Sequence, residues 1–372
     1  MPAPADALAD ECALVDDLVG DQAGDWDVAG RLPEPVLRKL ATAGLLCAQV
    51  PVGHGGIGMS SRRNGELTAF TGSRCSSLRS VMTSQGMAAW AIERLADPGQ
   101  RHGYLEELTG GRLAAVGFSE PQAGSDLSGI ETTIRSNGDG VVVDGEKVWV
   151  TGAHYADMIV VIGRYEDEAA AVVVPRRARG VLVSRVVNPV GCRAAGHATV
   201  RLENVRLPAS AVLGGGGTAL EMLVTTALTY GRVSVAWGCA GILRACLTAA
   251  VSHATGRTQF GQPLADHQLV ARHLANILVA EQVATRACEH ASDRWDSRSP
   301  QVGIASVLAK HVAASQAASG SSTALQVLAS AAGQDGNVVA RAYRDAKLME
   351  IIEGTQEICQ LILADHAVAT AR

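Results

Sequence analysis

Aromatic residues make up only 3% of this 372-residue chain, so the core that buries its 47% apolar residues must be built mainly from alanine, valine and leucine. Side chains that small favour closely approaching helices. An excess of positive charge is also missing. Thirty-two basic residues against thirty-seven acidic ones leave a formal net charge of −5, which offers no global attraction to a phosphate backbone or an anionic bilayer. Nucleic acid is therefore not an expected partner. Lysine occurs only at Lys39, Lys147, Lys310 and Lys347, a scarcity that by itself assigns no function. The eight cysteines are scattered, with no C-x-x-C pair and no histidine cluster beside them, so reduced, mostly buried thiols are expected and no metal site. No apolar run approaches the roughly 20 residues of a membrane span. Met1 to Asp10 is acidic and alanine-rich, unlike a basic-then-apolar leader. A soluble cytoplasmic protein is the expectation.

What is present divides into three parts. From Pro33 to about Thr109 apolar residues recur at three- and four-residue spacing, as in Val36-Leu37-Leu40-Leu45, and predict several helices; the Gly55-Gly56-Ile57-Gly58 cluster between two of them reads as a turn. From Leu113 to about Leu213 the pattern becomes short valine- and isoleucine-rich runs at 141–143, 158–162, 171–174, 181–183 and 199–202. Turn formers such as Asn137-Gly138-Asp139-Gly140 separate them, predicting a middle β domain. After Gly214-Gly215-Gly216-Gly217, which reads as a flexible joint, long helical patterns cover 220–253, 267–296, 302–332 and 337–369, the signature of an antiparallel four-helix bundle. The expected domains are 1–112, 113–214 and 215–372.

Four segments carry chemistry. The loop Gly117-Phe118-Ser119-Glu120-Pro121-Gln122-Ala123-Gly124-Ser125-Asp126 offers hydroxyls and backbone donors free of bulk, suited to a flat polar heterocycle or an anionic linker. In Lys147-Val148-Trp149-Val150-Thr151-Gly152, strand alternation would put Trp149 and Thr151 on one face, an indole to stack on and a hydroxyl for a ring edge. Arg257-Thr258-Gln259-Phe260-Gly261 sets a guanidinium three residues from an aromatic ring, a fit for a phosphate and a neighbouring base. Glu353 follows two isoleucines and precedes Gly354; an apolar setting raises a carboxyl's pKa toward that of a useful general base.

Taken together, Glu120 to Asp126, Trp149 to Thr151, Arg257 to Gly261 and the Arg344-Asp345-Ala346 to Glu353-Gly354-Thr355 segment resemble the acyl-CoA dehydrogenase family, in matching order from about Leu32 to Ala367. The resemblance implies a mainly α fold with a central β domain: a helical N-terminal domain, a middle β-barrel domain and a C-terminal four-helix bundle. It also implies FAD and a homo-oligomer, a dimer or tetramer. By position, Phe118, Ser119, Gly124, Ser125, Trp149 and Thr151 would contact the flavin of their own subunit, with Thr151 near N5. Arg257, Phe260, His267 and Gln326 would reach the partner's flavin, and Thr355 and Glu357 its pyrophosphate or adenosine end. Glu353 falls on the family's catalytic base. Some members carry the base on an earlier helix, just before an arginine; here that place is Gly231, before Arg232. Ala329-Ser330 stands where a Gly-Gly pair is common, which implies weaker FAD binding.

The segment Cys75 to Gly86 lies where the family lines its acyl pocket and is more polar than a fatty chain favours. With Ala114 to Ser119, Gly191 to His197 and Ala236 to Cys239, it looks like the branch serving methoxymalonyl-acyl-carrier-protein biosynthesis in polyketide pathways. That implies oxidation of 2-hydroxy-3-oxopropionyl to 2-hydroxymalonyl on an acyl carrier protein. Arg79, Ser84, Gln85, Arg193 and Arg232 would meet the substrate's oxygens; whether Glu353 takes a hydroxyl or an α proton stays open. The alternatives are an ordinary short-chain acyl-CoA dehydrogenase feeding an electron-transfer flavoprotein, and a non-dehydrogenase flavoprotein on the same scaffold.

Overall fold

The computed structural model describes residues 8–371, so most of the acidic start of the chain lies outside the described residues. Six helices come first: α1 (Ala9–Val19), α2 (Ala23–Ala29), α3 (Glu34–Thr42), α4 (Ser61–Arg74), α5 (Ser76–Leu95) and α6 (Pro98–Thr109). The sequence pattern located helices only from Pro33 onward. The two earlier ones have thin apolar faces, Val15 and Val19 on α1, Ala23 and Trp26 on α2, set in acidic surroundings. Helix α6 opens with a capping box in which Asp97 accepts from the Gln100 N–H and the Gln100 side chain binds back to the Asp97 N–H. In α5 serine, threonine, glutamine and arginine are buried along with Leu78, Val81 and the methionines, from Ser76 to Ala89 without a break.

Seven strands form one curled sheet: β1 (Ala114–Gly117), β2 (Thr133–Asn137), β3 (Gly140–Val150), β4 (Met158–Tyr165), β5 (Glu168–Pro175), β6 (Val181–Arg185) and β7 (Ala198–Pro208). All five predicted strands are present; β1 and β2 are additional. The order is β1-β4-β2-β3-β7-β6, with β5 on β4. Strand β1 runs parallel to β4, Ala115 opposite Ile159, whereas β2–β3, β3–β7, β4–β5 and β6–β7 are antiparallel. The β3–β7 register slips between Lys147 and Val150, and Trp149 sits there at φ 56°. The chain leaves the strand at Val150, so strand alternation is not what places Trp149 and Thr151.

The remaining helices are α7 (Leu220–Gly256), α8 (Gln268–Asp296), α9 (Val302–Leu328), α10 (Val338–Met349) and α11 (Gln356–Thr370). A short hairpin, β8 (Thr258–Gln259) with β9 (Gln262–Pro263), links α7 to α8. Helix α7 is apolar and long enough to cross a bilayer, but 72% of its most apolar stretch is buried within the protein. Small residues allow that burial. A Cβ on Gly241 would lie 2.1 Å from the Ala69 carbonyl oxygen, and one on Gly65 2.2 Å from the Trp237 indole nitrogen, so α4 and α7 meet at backbone distance. The single helix expected over 337–369 is in fact two. Glu353 and Gly354 take positive φ, 56° and 92°, and the Thr355 hydroxyl caps α11 by accepting the Ile358 N–H. Gly214 to Gly217, all at positive φ, form the turn into α7.

Candidate active site

A cavity of about 720 Å³ opens between the sheet, α5, α7 and the break before α11. It is lined by Arg79, Ser84, Phe118, Ser119, Gly124 and Ser125, and also by Trp149, Thr151, Arg232 and Glu353, so three of the four chemistry-bearing segments converge on one space with side chains of α5 and α7. A volume in the range of roughly 300–1,000 Å³ suits a cofactor or substrate pocket.

The loop over one wall is held by a buried ion pair. Lys147 Nζ lies 2.6 Å from Glu120 Oε1, with side chains 0% and 2% exposed, and also donates to the Phe118 carbonyl at 3.0 Å. Glu120 accepts the Glu131 and Thr132 N–H groups as well. Against the cost of burial, the Lys147 contact and these hydrogen bonds hold its carboxyl down at about 2. The pair pins the 118–132 loop onto β3. Beside it, Trp149 leaves its indole 55% exposed, an unusual state for so large an apolar group. Together with the Ser119, Ser125 and Thr151 hydroxyls it forms a wall suited to a flat, hydrogen-bonding ring such as a flavin.

Glu353 is placed by its backbone. Arg232 Nε donates to the Glu353 carbonyl at 3.1 Å, and Lys310 Nζ donates to the Gly354 and Glu350 carbonyls at 2.6 and 3.2 Å. Two buried cations thus clamp a turn in which a non-glycine residue holds a left-handed φ. The Glu353 carboxyl lies against Gly231, where a Cβ would fall 2.4 Å from Oε2, and Oε2 is buried without a hydrogen-bond partner. Burial raises its pKa to about 7, opposed by the positive charges of Arg232, Lys310 and Arg79. That is a poised general base.

Arg79 is fully buried on the cavity wall and makes no ion pair among the described residues; its guanidinium reaches only Thr83 Oγ1 at 3.4 Å and Met349 Sδ at 3.0 Å. Ser84 donates to the Thr151 carbonyl at 2.8 Å. Two expected substrate contacts are absent from the cavity. Gln85 Nε2 donates to the Arg112 carbonyl while its Oε1 accepts the Ala114 N–H, so its amide is used up in docking α5 onto β1. Arg193 turns away to Asp335 at 3.3 Å and Asp27 at 3.9 Å. Thr355 caps α11, and Glu357 is exposed in its first turn. Arg257, Phe260 and His267 gather at the β8–β9 hairpin, where Phe260 is 96% exposed, and Gln326 is exposed on α9; none of the four lines this cavity.

The sequence reading did not single out Lys310 or His197. Both had a signal. Two of only four lysines are fully buried, and Lys310 interrupts the apolar run Val307-Leu308-Ala309. His197 stands alone between Gly196 and the alternating strand β7, and its ring lines the cavity.

With this geometry in place, the chain belongs to the acyl-CoA dehydrogenase family: the family's N-terminal domain matches residues 8–112, its middle domain 115–205 and its C-terminal domain 220–368. Members are FAD-dependent oxidoreductases acting on acyl thioesters, and this protein is one of them. It is 32% identical over 346 residues to the probable acyl-CoA dehydrogenase YngJ of Bacillus subtilis, covering 91% of this chain and 90% of that one. It is 28% identical to human mitochondrial short-chain specific acyl-CoA dehydrogenase, covering 91% and 84%. Among solved structures it is 61% identical to FkbI for biosynthesis of the methoxymalonyl extender unit of the Fk520 polyketide, with TM-score 0.93 over 96% of this chain and 99% of that one.

Proposed function

We propose that this protein oxidises a small, oxygenated three-carbon acyl group carried on an acyl carrier protein, converting 2-hydroxy-3-oxopropionyl-ACP to 2-hydroxymalonyl-ACP for a methoxymalonyl extender unit. The observation that carries the reading is Arg79. A guanidinium held in the cavity wall with no carboxylate partner is costly beside an aliphatic acyl tail, and a product that gains a carboxylate there would pair it. The 61% identity to FkbI supports the same substrate class.

In this scheme the substrate reacts as the hydrate of its C3 aldehyde. Arg79 and Arg232 orient the oxygens, while Glu353 takes one hydroxyl proton as C3 loses its hydrogen with the electron pair, leaving a carboxylic acid. FAD, when bound, supplies the two-electron acceptor for that hydride. Phe118, Ser119, Gly124, Ser125, Trp149 and Thr151 would hold the ring. Arg257, Phe260, His267 and Gln326, exposed or half-exposed and outside their own subunit's cavity, would serve the flavin of a second copy, and Thr355 and Glu357 its distal end. An electron-transfer flavoprotein is a suitable reoxidant.

The test is an anaerobic titration of FAD-loaded protein with the carrier-bound semialdehyde and, in parallel, butyryl-CoA. Bleaching of the flavin band by the carrier-bound substrate alone is expected. Bleaching by butyryl-CoA alone would replace this reading with that of a short-chain acyl-CoA dehydrogenase.

A further inference from the structure

His197 has no role in the scheme above, yet its contacts on the cavity wall are specific. It directly precedes β7, and its carbonyl accepts the Val186 N–H at 2.8 Å, which fixes its backbone. Ring Nδ1 lies 3.2 Å from Thr151 Oγ1, and the ring meets the Trp149 indole edge-on with centroids 5.9 Å apart. The residue is only 9% exposed, and Nε2 is buried with no partner. We propose that His197 is a positioning residue that turns the Thr151 hydroxyl into an obligatory hydrogen-bond donor toward the flavin.

The argument is one of proton placement. Burial, and secondarily the Arg79 charge, pull the imidazole pKa down to about 4, so the ring is neutral at pH 7 and carries one N–H. Placed on Nε2, that N–H would be a buried orphan donor. Placed on Nδ1, it donates to Thr151 Oγ1 and leaves only a bare lone pair at Nε2, and unsatisfied acceptors are tolerated better than unsatisfied donors. The Nδ1–H tautomer is therefore the stable one. Thr151 Oγ1 then already accepts, and it makes no other hydrogen bond to the described residues. Its own proton can be satisfied only by an acceptor in the cavity, and the ring nitrogen of a flavin against Trp149 is such an acceptor. A hydroxyl without this neighbour could accept as readily as donate. The inference rests on flavin binding and is independent of the acyl substrate.

Two measurements test it. Ring ¹⁵N NMR of the cofactor-free protein reads the His197 tautomer directly; a proton on Nδ1 is expected, and a proton on Nε2 overturns the proposal. In the holoenzyme, the two-electron flavin potential is compared among wild type, His197→Asn and His197→Gln. An asparagine amide nitrogen lies near the place of Nδ1 and keeps the bond to Thr151, whereas a glutamine amide lies near the place of Nε2 and does not. The Asn variant should match wild type, and the Gln variant, whose Thr151 hydroxyl is free to accept the N–H that reduction places on the flavin nitrogen, should favour reduced flavin by about 2- to 10-fold, a rise of about 10–30 mV. Equal potentials in all three proteins, or an equal shift in both variants with equal loss of FAD affinity, would leave His197 as packing only. Should a variant not retain FAD, the tautomer decides alone.

Discussion

Replacing Gly231 by alanine should disable the enzyme while leaving it folded. The added Cβ would lie 2.4 Å from Glu353 Oε2, 2.7 Å from its Cδ and 2.5 Å from Met87 Cε, all of them atoms of side chains and none of backbone. The carboxyl must retreat by about 1 Å to reach ordinary contact, and a displacement of that size at a reacting group costs about 100-fold in rate. The fold loses little. Gly231 is interior to the 37-residue helix α7, where alanine is favoured over glycine by about 1 kcal/mol, against about 1–3 kcal/mol for overpacking. The net change should stay below about 2 kcal/mol. Stopped-flow flavin reduction, with whichever thioester reduces the wild type, reads the first quantity and thermal unfolding of the FAD-loaded protein the second. Wild-type reduction rates in Gly231→Ala would refute the placement of Glu353 as the base; unfolding at room temperature would refute the packing estimate.

Three other outcomes follow, two from the same turn and one from the end of α9. Glu353 has a folded pKa of about 7, above the ordinary carboxyl value of 4.5, so the stability its neutral form contributes is complete below about pH 4.5 and is lost as pH rises toward 7, while its capacity as a base grows over the upper part of that window. Glu353→Gln should remove that slope from the pH dependence of Tm, and Lys310→Met, which deletes one of the opposing charges, should move the pH midpoint of flavin reduction upward; an unmoved midpoint would show that Lys310 does not act on Glu353. Ala329, the C-cap of α9, sits at φ 49° and ψ −132°, a region that favours glycine, so Ala329→Gly should relieve about 1–3 kcal/mol of strain less about 0.5–1 kcal/mol of glycine entropy. A rise of a few degrees in Tm is expected, and a fall would show that no strain is stored there.

Much of the architecture was legible because periodicity reports burial. The alternation from 141 to 202 and the long helical patterns after Leu220 correspond to elements whose apolar faces pack the core. Less visible were α1 and α2, short helices that each bury only two apolar residues, and the break at Glu353, where Ile351, Ile352 and Ile358 hide a turn held by the side chains of Lys310 and Arg232 from distant helices. Substrate-contact expectations divided along the same line. Arg79, Ser84 and Arg232 line the cavity, but Gln85, on the same helix as the first two, points to β1, and Arg193 is drawn off by Asp27 and Asp335. Gln85 is claimed by backbone 27 and 29 positions along the chain and Arg193 by carboxylates of distant elements, so which partner takes a polar side chain depends on tertiary neighbours that one sequence does not display.

The left-handed turn at Trp149 also gives the molecule an optical gauge. Of its five tryptophans, Trp26 and Trp237 are buried, Trp90 and Trp295 lean on each other with ring centroids 4.5 Å apart, and Trp149 alone is exposed. A dissolved quencher such as iodide will therefore dim chiefly the one emitter that stands on the cavity wall. Loss of quenching reports that the wall has been covered, without any label and without turnover, so occupancy of the ring site can be followed separately from the chemistry performed beside it.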